Sequence, residues 1–153
     1  MIPDVSDIII SELPLDLAKL NQLIQQSQGE NGAAVIFTGC VRTADEANGL
    51  TGMTLEHYPG MTESELLKIL QQATQRWPLT QVKVAHRIGY LMPGDTIVFV
   101  GVCSLHRKQA FLAAQFIMDY LKQKATFWKK EHFGEKTRWV EAKSSDEEAA
   151  SQW

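Results

Sequence analysis

Cationic side chains are concentrated in the second half of a chain that is acidic as a whole, with 153 residues and a formal net charge of −3. In chain order they are His106, Arg107, Lys122, Lys129 and Lys130. Aromatic and aliphatic residues stand among them in the sequence. Fixed cations beside apolar surface suit anions such as phosphate or carboxylate, and they lower the pKa of a lysine among them. The sequence therefore predicts an anion-binding site.

The lysines also admit plainer explanations. Lys122 comes four residues after Met118 and eleven after Phe111, which places it on or beside the apolar stripe of a predicted helix. Alternatively, it stabilises the negative end of the helix dipole and extends its ammonium to water. In an extended segment Lys129 and Lys130 face opposite ways, so one of them can point inward. The alternative there is a charged edge strand that resists aggregation.

Two further cationic positions lie at element boundaries. His106 and Arg107 follow a β-rich stretch and precede a helix, where free backbone N–H groups and the helix dipole attract anions. A capping turn, with Arg107 in a surface ion pair, is the other interpretation. Arg42 ends a predicted strand before a polar loop, and its position alone is equally open.

Neither the cysteines nor the histidines have the spacing of metal ligands, so no metal site is predicted. The residues concerned are Cys40, Cys103, His57, His86 and His132. We expect both cysteines to be buried structural thiols, and His86 to be a buried or interfacial polar link. A serine triad would need Ser104, His106 and an unidentified acid, a geometry that neighbouring residues seldom give.

Composition limits the class of protein. Hydrophobic residues make up 44% and charged residues 22%, as in an ordinary globular protein, and the length fits one domain spanning 1–153. The acidic balance disfavours nucleic-acid binding. We expect a cytoplasmic protein, because we find neither a signal peptide nor a stretch of about 18 apolar residues that could span a membrane.

The pattern of apolar residues predicts alternating strands and helices, and hence an α/β or α+β arrangement. Predicted strands are 5–10, 33–42 (buried on both faces), 53–58, 81–88 and 96–103 (paired at the centre of a sheet), 127–132 and 138–142. Predicted helices are 14–26, 62–77 (with Thr62 as N-cap) and 108–124. We expect 43–52 to be a mobile loop and 144–153 to be an acidic tail, either frayed in solvent or folded over the site.

Six blocks of sequence, taken in order, closely resemble the large, catalytic subunit of molybdopterin synthase. The blocks are Phe37-Thr38-Gly39-x-Val41-Arg42, Leu55-Glu56-His57-Tyr58-Pro59-Gly60-Met61, His86-Arg87-Ile88-Gly89, Gly94-Asp95, Ser104-x-His106-Arg107, and Tyr120-Leu121-Lys122 with Phe127-Trp128-Lys129-Lys130-Glu131. The similarity spans 33–142, most of the chain. Any one block would be weak evidence, whereas six in the same order are specific.

The resemblance implies an α/β hammerhead fold, with a mixed sheet packed against helices. It also implies a homodimer inside a heterotetramer, with a ubiquitin-like sulfur-carrier subunit at each end. The implied enzyme is a sulfurtransferase of molybdenum cofactor biosynthesis. Its substrate, cyclic pyranopterin monophosphate, receives two sulfurs from the thiocarboxylated C-terminus of successive carriers and becomes molybdopterin. The resemblance implies no metal and no cofactor in that step.

By position, the resemblance also implies a site. The implied substrate-binding residues are Cys40, Val41, Arg42, His106, Arg107, Lys122, Lys129, Lys130 and Glu131, with Phe37 and Met118 as apolar walls. Lys122 and Lys129 are the implied catalytic residues. His106 and Arg107 are expected from the opposite subunit of the dimer. Lys143 stands where some members have arginine, which puts fork-like anion binding there in question.

Two other classes of function remain open at this stage. A non-catalytic adaptor could bind an acidic or ubiquitin-like tail through the same cations, and it would bind without turnover. A phosphate-ester hydrolase using His106 would be active without a sulfur donor. Both are distinguished from a sulfurtransferase by an assay that supplies the pterin precursor and a thiocarboxylated carrier.

Overall fold

The computed structural model describes residues 1–26, 31–124, 127–140 and 144–153, and within these it contains two four-stranded sheets and four α-helices. The strands are β1 (Ile8–Ser11), β2 (Ala33–Cys40), β3 (Gly52–His57), β4 (Leu79–Arg87), β5 (Gly89–Leu91), β6 (Thr96–Ser104), β7 (Phe127–Phe133) and β8 (Lys136–Val140). The helices are α1 (Leu17–Gln25), α2 (Met61–Arg76), α3 (Arg107–Lys124) and α4 (Ser144–Ser151). The predicted mixed α+β arrangement is confirmed.

Sheet A has the strand order β1-β4-β6-β2. The predicted central pair is confirmed, since β4 and β6 run antiparallel with Val84 opposite Val100, and both residues are buried. The prediction that 33–42 is buried on both faces is wrong. Within the described chain β2 pairs with β6 and forms the edge of the sheet, so Phe37 remains 42% exposed. Val35 and Ile36, on opposite faces of the strand, are only partly buried, each against a different hydrophobic cluster, and one edge of the strand is open.

Sheet B has the order β5-β3-β7-β8, with antiparallel neighbours throughout. Because successive side chains of a strand point to opposite faces, β7 carries Phe127, Lys129 and Glu131 on one face. Trp128 and Lys130 lie on the other. The first face meets the edge of sheet A and the C-terminal half of α3, where a cavity opens.

Two hydrophobic clusters cover the two faces of sheet A. Helices α2 and α3 pack on one face through residues such as Leu70, Phe116 and Ile117. Helix α1 packs on the other through Leu20 and Ile24. Gly101 of β6 permits this approach, since a Cβ there would lie 2.4 Å from a side-chain carbon of Ile24. None of the described helices is long and apolar enough to cross a membrane.

Several predicted boundaries differ from the structure. Helix α2 begins after Gly60, not Thr62, because the Glu63 carboxylate accepts the Gly60 N–H at 2.6 Å. Thr62 is buried, and its hydroxyl donates to the Tyr58 carbonyl at 3.0 Å. The first predicted strand is shortened by a 3₁₀ turn at Val5–Asp7. The segment expected to be a loop contains a 3₁₀ helix, Thr43–Asn48.

The C-terminal segment is packed against the protein rather than frayed. Helix α4 lies on α3, and the Trp153 indole N–H donates to the Asp119 carboxylate at 2.7 Å. The same ring makes edge contacts with Trp77 and Phe116, both at 5.7 Å between centroids. The expectation of a solvated tail is therefore wrong, because its terminal tryptophan extends the core cluster. The last two residues of the predicted strand 138–142 lie outside the described residues.

Candidate active site

A cavity of about 490 Å³ opens where β2, α3 and the inner face of β7 meet. Eight of the residues implied by the resemblance line it: Phe37, Cys40, Val41, Arg42, Met118, Lys122, Lys129 and Glu131. The other lining residues are Gly39, Asp45, Met53, Leu55, His86, Ile97, Val98, Leu121, Phe127, Val140 and Asp146. Residues far apart in sequence thus meet in one concave, partly apolar space.

Three cationic side chains reach this cavity from three different elements. Arg42 follows β2, whose register shifts between Gly39 and Cys40. Val41, which lies between β2 and Arg42, is buried. Its N–H donates to the Asp95 carbonyl at 2.9 Å, and its carbonyl accepts from the Gly94 N–H at 2.7 Å. Its anchoring fixes where the Arg42 side chain departs from the backbone.

The lysines are delivered by regular structure. Lys122 lies in the last turn of α3, directly after the buried Leu121. Lys129 lies opposite Leu55 in the β3–β7 pairing, on the face of β7 that contributes to the cavity. One lysine therefore approaches from a helix that packs on sheet A, and the other from a strand of sheet B.

Carboxylates moderate the positive charge at the rim. The Arg42 guanidinium donates to Asp45 at 3.2 Å, and Arg138 donates to Glu131 at 3.0 Å. Asp146 of α4 also lines the cavity. Asp45 was not anticipated from the sequence, because a polar loop carries no spacing that would predict contact with this site. Asp146 belongs to the acidic tail, for which folding over the site was the alternative expectation.

His86 forms part of the cavity wall and is buried. Its ring stacks on Phe127 with centroids 3.9 Å apart and an interplanar angle of 16°. Its Nδ1 lies 2.9 Å from the Arg87 carbonyl oxygen. Burial lowers the pKa of His86 from 6.5 to about 4, so the ring is neutral near pH 7. The prediction of a buried polar link holds, but its place beside the cavity was not anticipated.

Lys130 is the neighbour of Lys129 but does not line the cavity. Its ammonium lies 5.0 Å from the centre of the Trp139 ring, on the opposite face of sheet B. The period of two predicted that one of the two lysines would point inward, and the register assigns that position to Lys129.

His106 and Arg107 do not line this cavity either. They lie at the N-terminal end of α3, whereas Lys122 lies fifteen residues beyond Arg107, a rise of about 22 Å along a helix. Both side chains are exposed. Within one chain they cannot join Lys122, so their contribution to the site remains a proposal that needs a second copy.

The two cysteines differ from each other. Cys103 is buried, donates its thiol to the Ile24 carbonyl at 3.1 Å and has its pKa raised by burial. Cys40 is exposed at the cavity, because it ends the edge strand β2. The expectation of a buried thiol is therefore confirmed for Cys103 and wrong for Cys40. Among the described residues, no group of three His, Cys, Asp or Glu side chains could hold a metal ion.

A cavity with cationic side chains and apolar walls, formed where two sheets meet a helix, suits an anionic ligand. Residues 10–124 match the family model described as MoaE protein, so the chain belongs to the MoaE family. It is 58% identical over 124 residues to the molybdopterin synthase catalytic subunit of Escherichia coli K12, a match that covers 81% of this chain and 83% of that protein.

Solved structures share the fold over almost the whole chain. A molybdopterin biosynthesis MoaE protein from Burkholderia ambifaria superposes with a TM-score of 0.80 at 42% identity, covering 95% of this chain and 96% of the other. A chain from a complex of subunits 1 and 2 of the Helicobacter pylori molybdopterin-converting factor superposes with a TM-score of 0.77. That match covers 92% and 93% of the two chains, and at 22% identity it shows the fold alone.

Proposed function

We propose that this chain is the catalytic subunit of a molybdopterin synthase, a sulfurtransferase of molybdenum cofactor biosynthesis. It transfers sulfur from the thiocarboxylated C-terminus of a small carrier subunit to cyclic pyranopterin monophosphate. The observation that carries this proposal is the meeting of Arg42, Lys122 and Lys129 in one apolar-walled cavity of a MoaE family member.

Both reactants are anions, and the cavity suits them. The substrate phosphate and the carrier thiocarboxylate would repel each other in an uncharged pocket. Fixed cations screen that repulsion and bind the phosphate through charge-assisted hydrogen bonds. Arg42 is the phosphate ligand that we assign, and Phe37 with Met118 supplies apolar wall against the pterin. Cys40, Val41 and Glu131 complete the binding surface.

Lys122 and Lys129 are the catalytic residues that we assign. Each sulfur forms a bond to a pterin carbon as a carbon–oxygen bond at that carbon breaks and the oxygen leaves. The bond between the sulfur and the carrier carbonyl carbon is then hydrolysed, and water supplies the oxygen that leaves the carrier with a carboxylate. Protons must move at both stages, and an amine in a partly apolar cavity can hold or release one. Arginine keeps the charge but cannot give up its proton, so it is no substitute at the catalytic position.

The assembly that we propose is a homodimer with one carrier on each catalytic subunit. His106 and Arg107 of one subunit would complete the cavity of the other. The exposure of both residues, far along α3 from Lys122, supports this arrangement. The Helicobacter pylori relative of the same fold was solved as a protein–protein complex of two subunits, which supports a heteromeric assembly here. We propose a cytoplasmic location for the reaction.

The decisive assay supplies the pterin precursor and thiocarboxylated carrier and measures the dithiolene product. Wild type should form product only when both are present. Lys122→Ala should form almost none, whereas the matched variant Lys124→Ala, in the same helical turn, should remain active. Binding of carrier without product would favour the adaptor, and phosphate release without a sulfur donor would favour the hydrolase.

A further inference from the structure

The two lysines that we assign to catalysis belong to different layers of the molecule. Lys122 lies on α3, which packs against β6 and β2 of sheet A. Lys129 lies on β7, in the middle of sheet B. Their relative placement therefore depends on how the two sheets are joined beside the cavity.

His86 and Phe127 form such a joint. His86 lies on β4 of sheet A and Phe127 on β7 of sheet B, and their rings are nearly parallel at 3.9 Å. Phe127 is two residues before Lys129, and both contribute to the same cavity. His57 of β3 lies beyond Phe127, with its ring centroid at 6.5 Å and an angle of 29°. A displacement of Phe127 would move the backbone that carries Lys129.

The His86 ring is itself held in place. A carbonyl oxygen only accepts hydrogen bonds, so the contact of Nδ1 with Arg87 requires the proton on Nδ1. The side chain is 5% exposed. Burial lowers the pKa of His86 to about 4, although the hydrogen bond to Arg87 raises it, and the nearby side chains of Lys129 and His57 lower it further. The uncharged ring near pH 7 therefore does not repel Lys129.

We infer that His86 is a positioning residue, whose stack on Phe127 fixes β7 against sheet A and so sets the place of the Lys129 ammonium relative to Lys122. This inference rests on the proposed function, because it takes the roles of the two lysines from there. Proton transfer is sensitive to such placement, since an error of about 1 Å can cost on the order of 100-fold in rate.

Two matched variants separate the ring from the rest of the side chain. His86→Phe and His86→Leu both remove the hydrogen bond to Arg87, and both introduce an apolar side chain. Only phenylalanine keeps a flat ring against Phe127. We expect His86→Leu to lose roughly 10- to 100-fold in kcat. We expect KM for the pterin precursor to change much less, and His86→Phe to retain most of the activity. His132→Leu, on the outer face of sheet B, is the control substitution.

Cross-linking of the two lysines tests the positioning role without measuring product formation. A short amine-reactive cross-linker should join Lys122 to Lys129 in wild type and in His86→Phe, as detected by mass spectrometry after digestion. The yield should fall in His86→Leu. If wild type forms no dithiolene product but this pattern of cross-links appears, the proposed function fails and the positioning role stands.

Other outcomes overturn the positioning role. One is a folded His86→Leu variant with the kcat and cross-link yield of wild type. Another is a His86→Phe variant as impaired as His86→Leu, because the polar atoms rather than the stack would then be required. If His86→Leu does not fold, His86→Asn, which keeps a donor for the Arg87 carbonyl but no ring, replaces it with the same expected loss.

Discussion

The two faces of β7 show how one strand can serve two environments. The inner face places Lys129 in a cavity that also contains Arg42 and Lys122. The outer face places Lys130 over the exposed ring of Trp139, a cation–π contact at 5.0 Å. The two lysines are adjacent in sequence and differ only in direction. The strand register therefore determines which lysine meets other cations and apolar walls, and in the proposed reaction that lysine is Lys129.

The largest expected effect contrasts these two lysines. Lys129→Ala and Lys129→Arg should nearly abolish product formation, because the first removes the amine and the second cannot give up its proton. Lys130→Ala should retain most of the activity. Lys129 lies at the cavity and Lys130 on the outer surface of sheet B, so the temperature of thermal unfolding should change little in all three variants. Rates measured with both reactants in excess check this. Equal losses of activity at Lys129 and Lys130 would show that the face of β7 on which a lysine lies does not matter.

The next effect concerns anion binding. Arg42→Ala, and His106→Ala or Arg107→Ala from the second copy, should mainly raise KM, since one lost charge-assisted contact costs roughly 1.5 to 3 kcal/mol. If the site is shared, mixing a His106→Ala subunit with a Lys129→Ala subunit should restore activity in hybrid dimers. The measurement is activity after subunit exchange verified by mass spectrometry. No recovery in exchanged dimers would place the whole site within one chain.

The third effect is the pH dependence of stability at His86. Its pKa is about 4 in the folded protein against an ordinary 6.5, so between these values the unfolded state binds more protons. The stability that the uncharged His86 contributes is therefore complete above pH 6.5 and is lost as the pH falls from 6.5 through 4. The side chains of Lys129 and His57, which lie near the ring, add to the free-energy cost of protonating it. The loss should reach roughly 3 kcal/mol.

Urea denaturation at a series of pH values measures this dependence. His86→Phe should show a smaller decrease of unfolding free energy between pH 6.5 and pH 4 than wild type. Identical slopes for the two proteins would show that His86 does not titrate in this range in the way its burial requires.

A smaller effect should follow removal of Trp153. Trp153→Ala should lower stability by about 2 kcal/mol, because a partly buried ring leaves the contacts with Trp77, Phe116 and Asp119. We also expect tighter carrier binding, since release of α4 would withdraw Asp146 from the cavity. Calorimetric unfolding and carrier titration measure the two quantities. Weaker carrier binding would show that α4 helps to form the docking surface.

The smallest effects are expected at the cysteines. Cys40 is exposed, so Cys40→Ser should preserve both stability and sulfur transfer. Cys103→Ser should also preserve transfer but lose about 1 to 3 kcal/mol, because a hydroxyl replaces a buried thiol in an apolar strand. Unfolding curves and the product assay test this. A persulfide on Cys40, with an inactive serine variant, would overturn transfer from the carrier thiocarboxylate.

Local pattern anticipated the central features of the fold. The alternation around Val84 and the apolar run through Val100 predicted two paired strands, and the pairing at the centre of sheet A agrees. Pattern was weaker where a tertiary contact decides the outcome. Whether β2 lies inside the sheet or at its edge depends on which strands flank it. Thr62 looked like a helix cap, although Gly60 and Glu63 form the start of the helix.

The site shows the same division. Periodicity restricted the inward lysine to Lys129 or Lys130, but the choice required the register of β7 against β3. The stack of His86 on Phe127 joins strands of different sheets and has no signal in sequence spacing. The docking of Trp153 also depends on distant aromatic partners. Resemblance supplied the cavity residues that spacing left open, and eight of them do line one cavity.

We propose that sulfur passes from the carrier to the pterin in the cavity that contains Lys129. A single-turnover reaction with carrier carrying a ³⁴S-labelled thiocarboxylate tests it most directly, with the product analysed by mass spectrometry. Wild type and Lys130→Ala should give molybdopterin with the label at both sulfurs, and Lys129→Ala should give none. Unlabelled product from wild type would show that the sulfur does not come from the carrier, and fully labelled product from Lys129→Ala at the wild-type rate would show that Lys129 is not required.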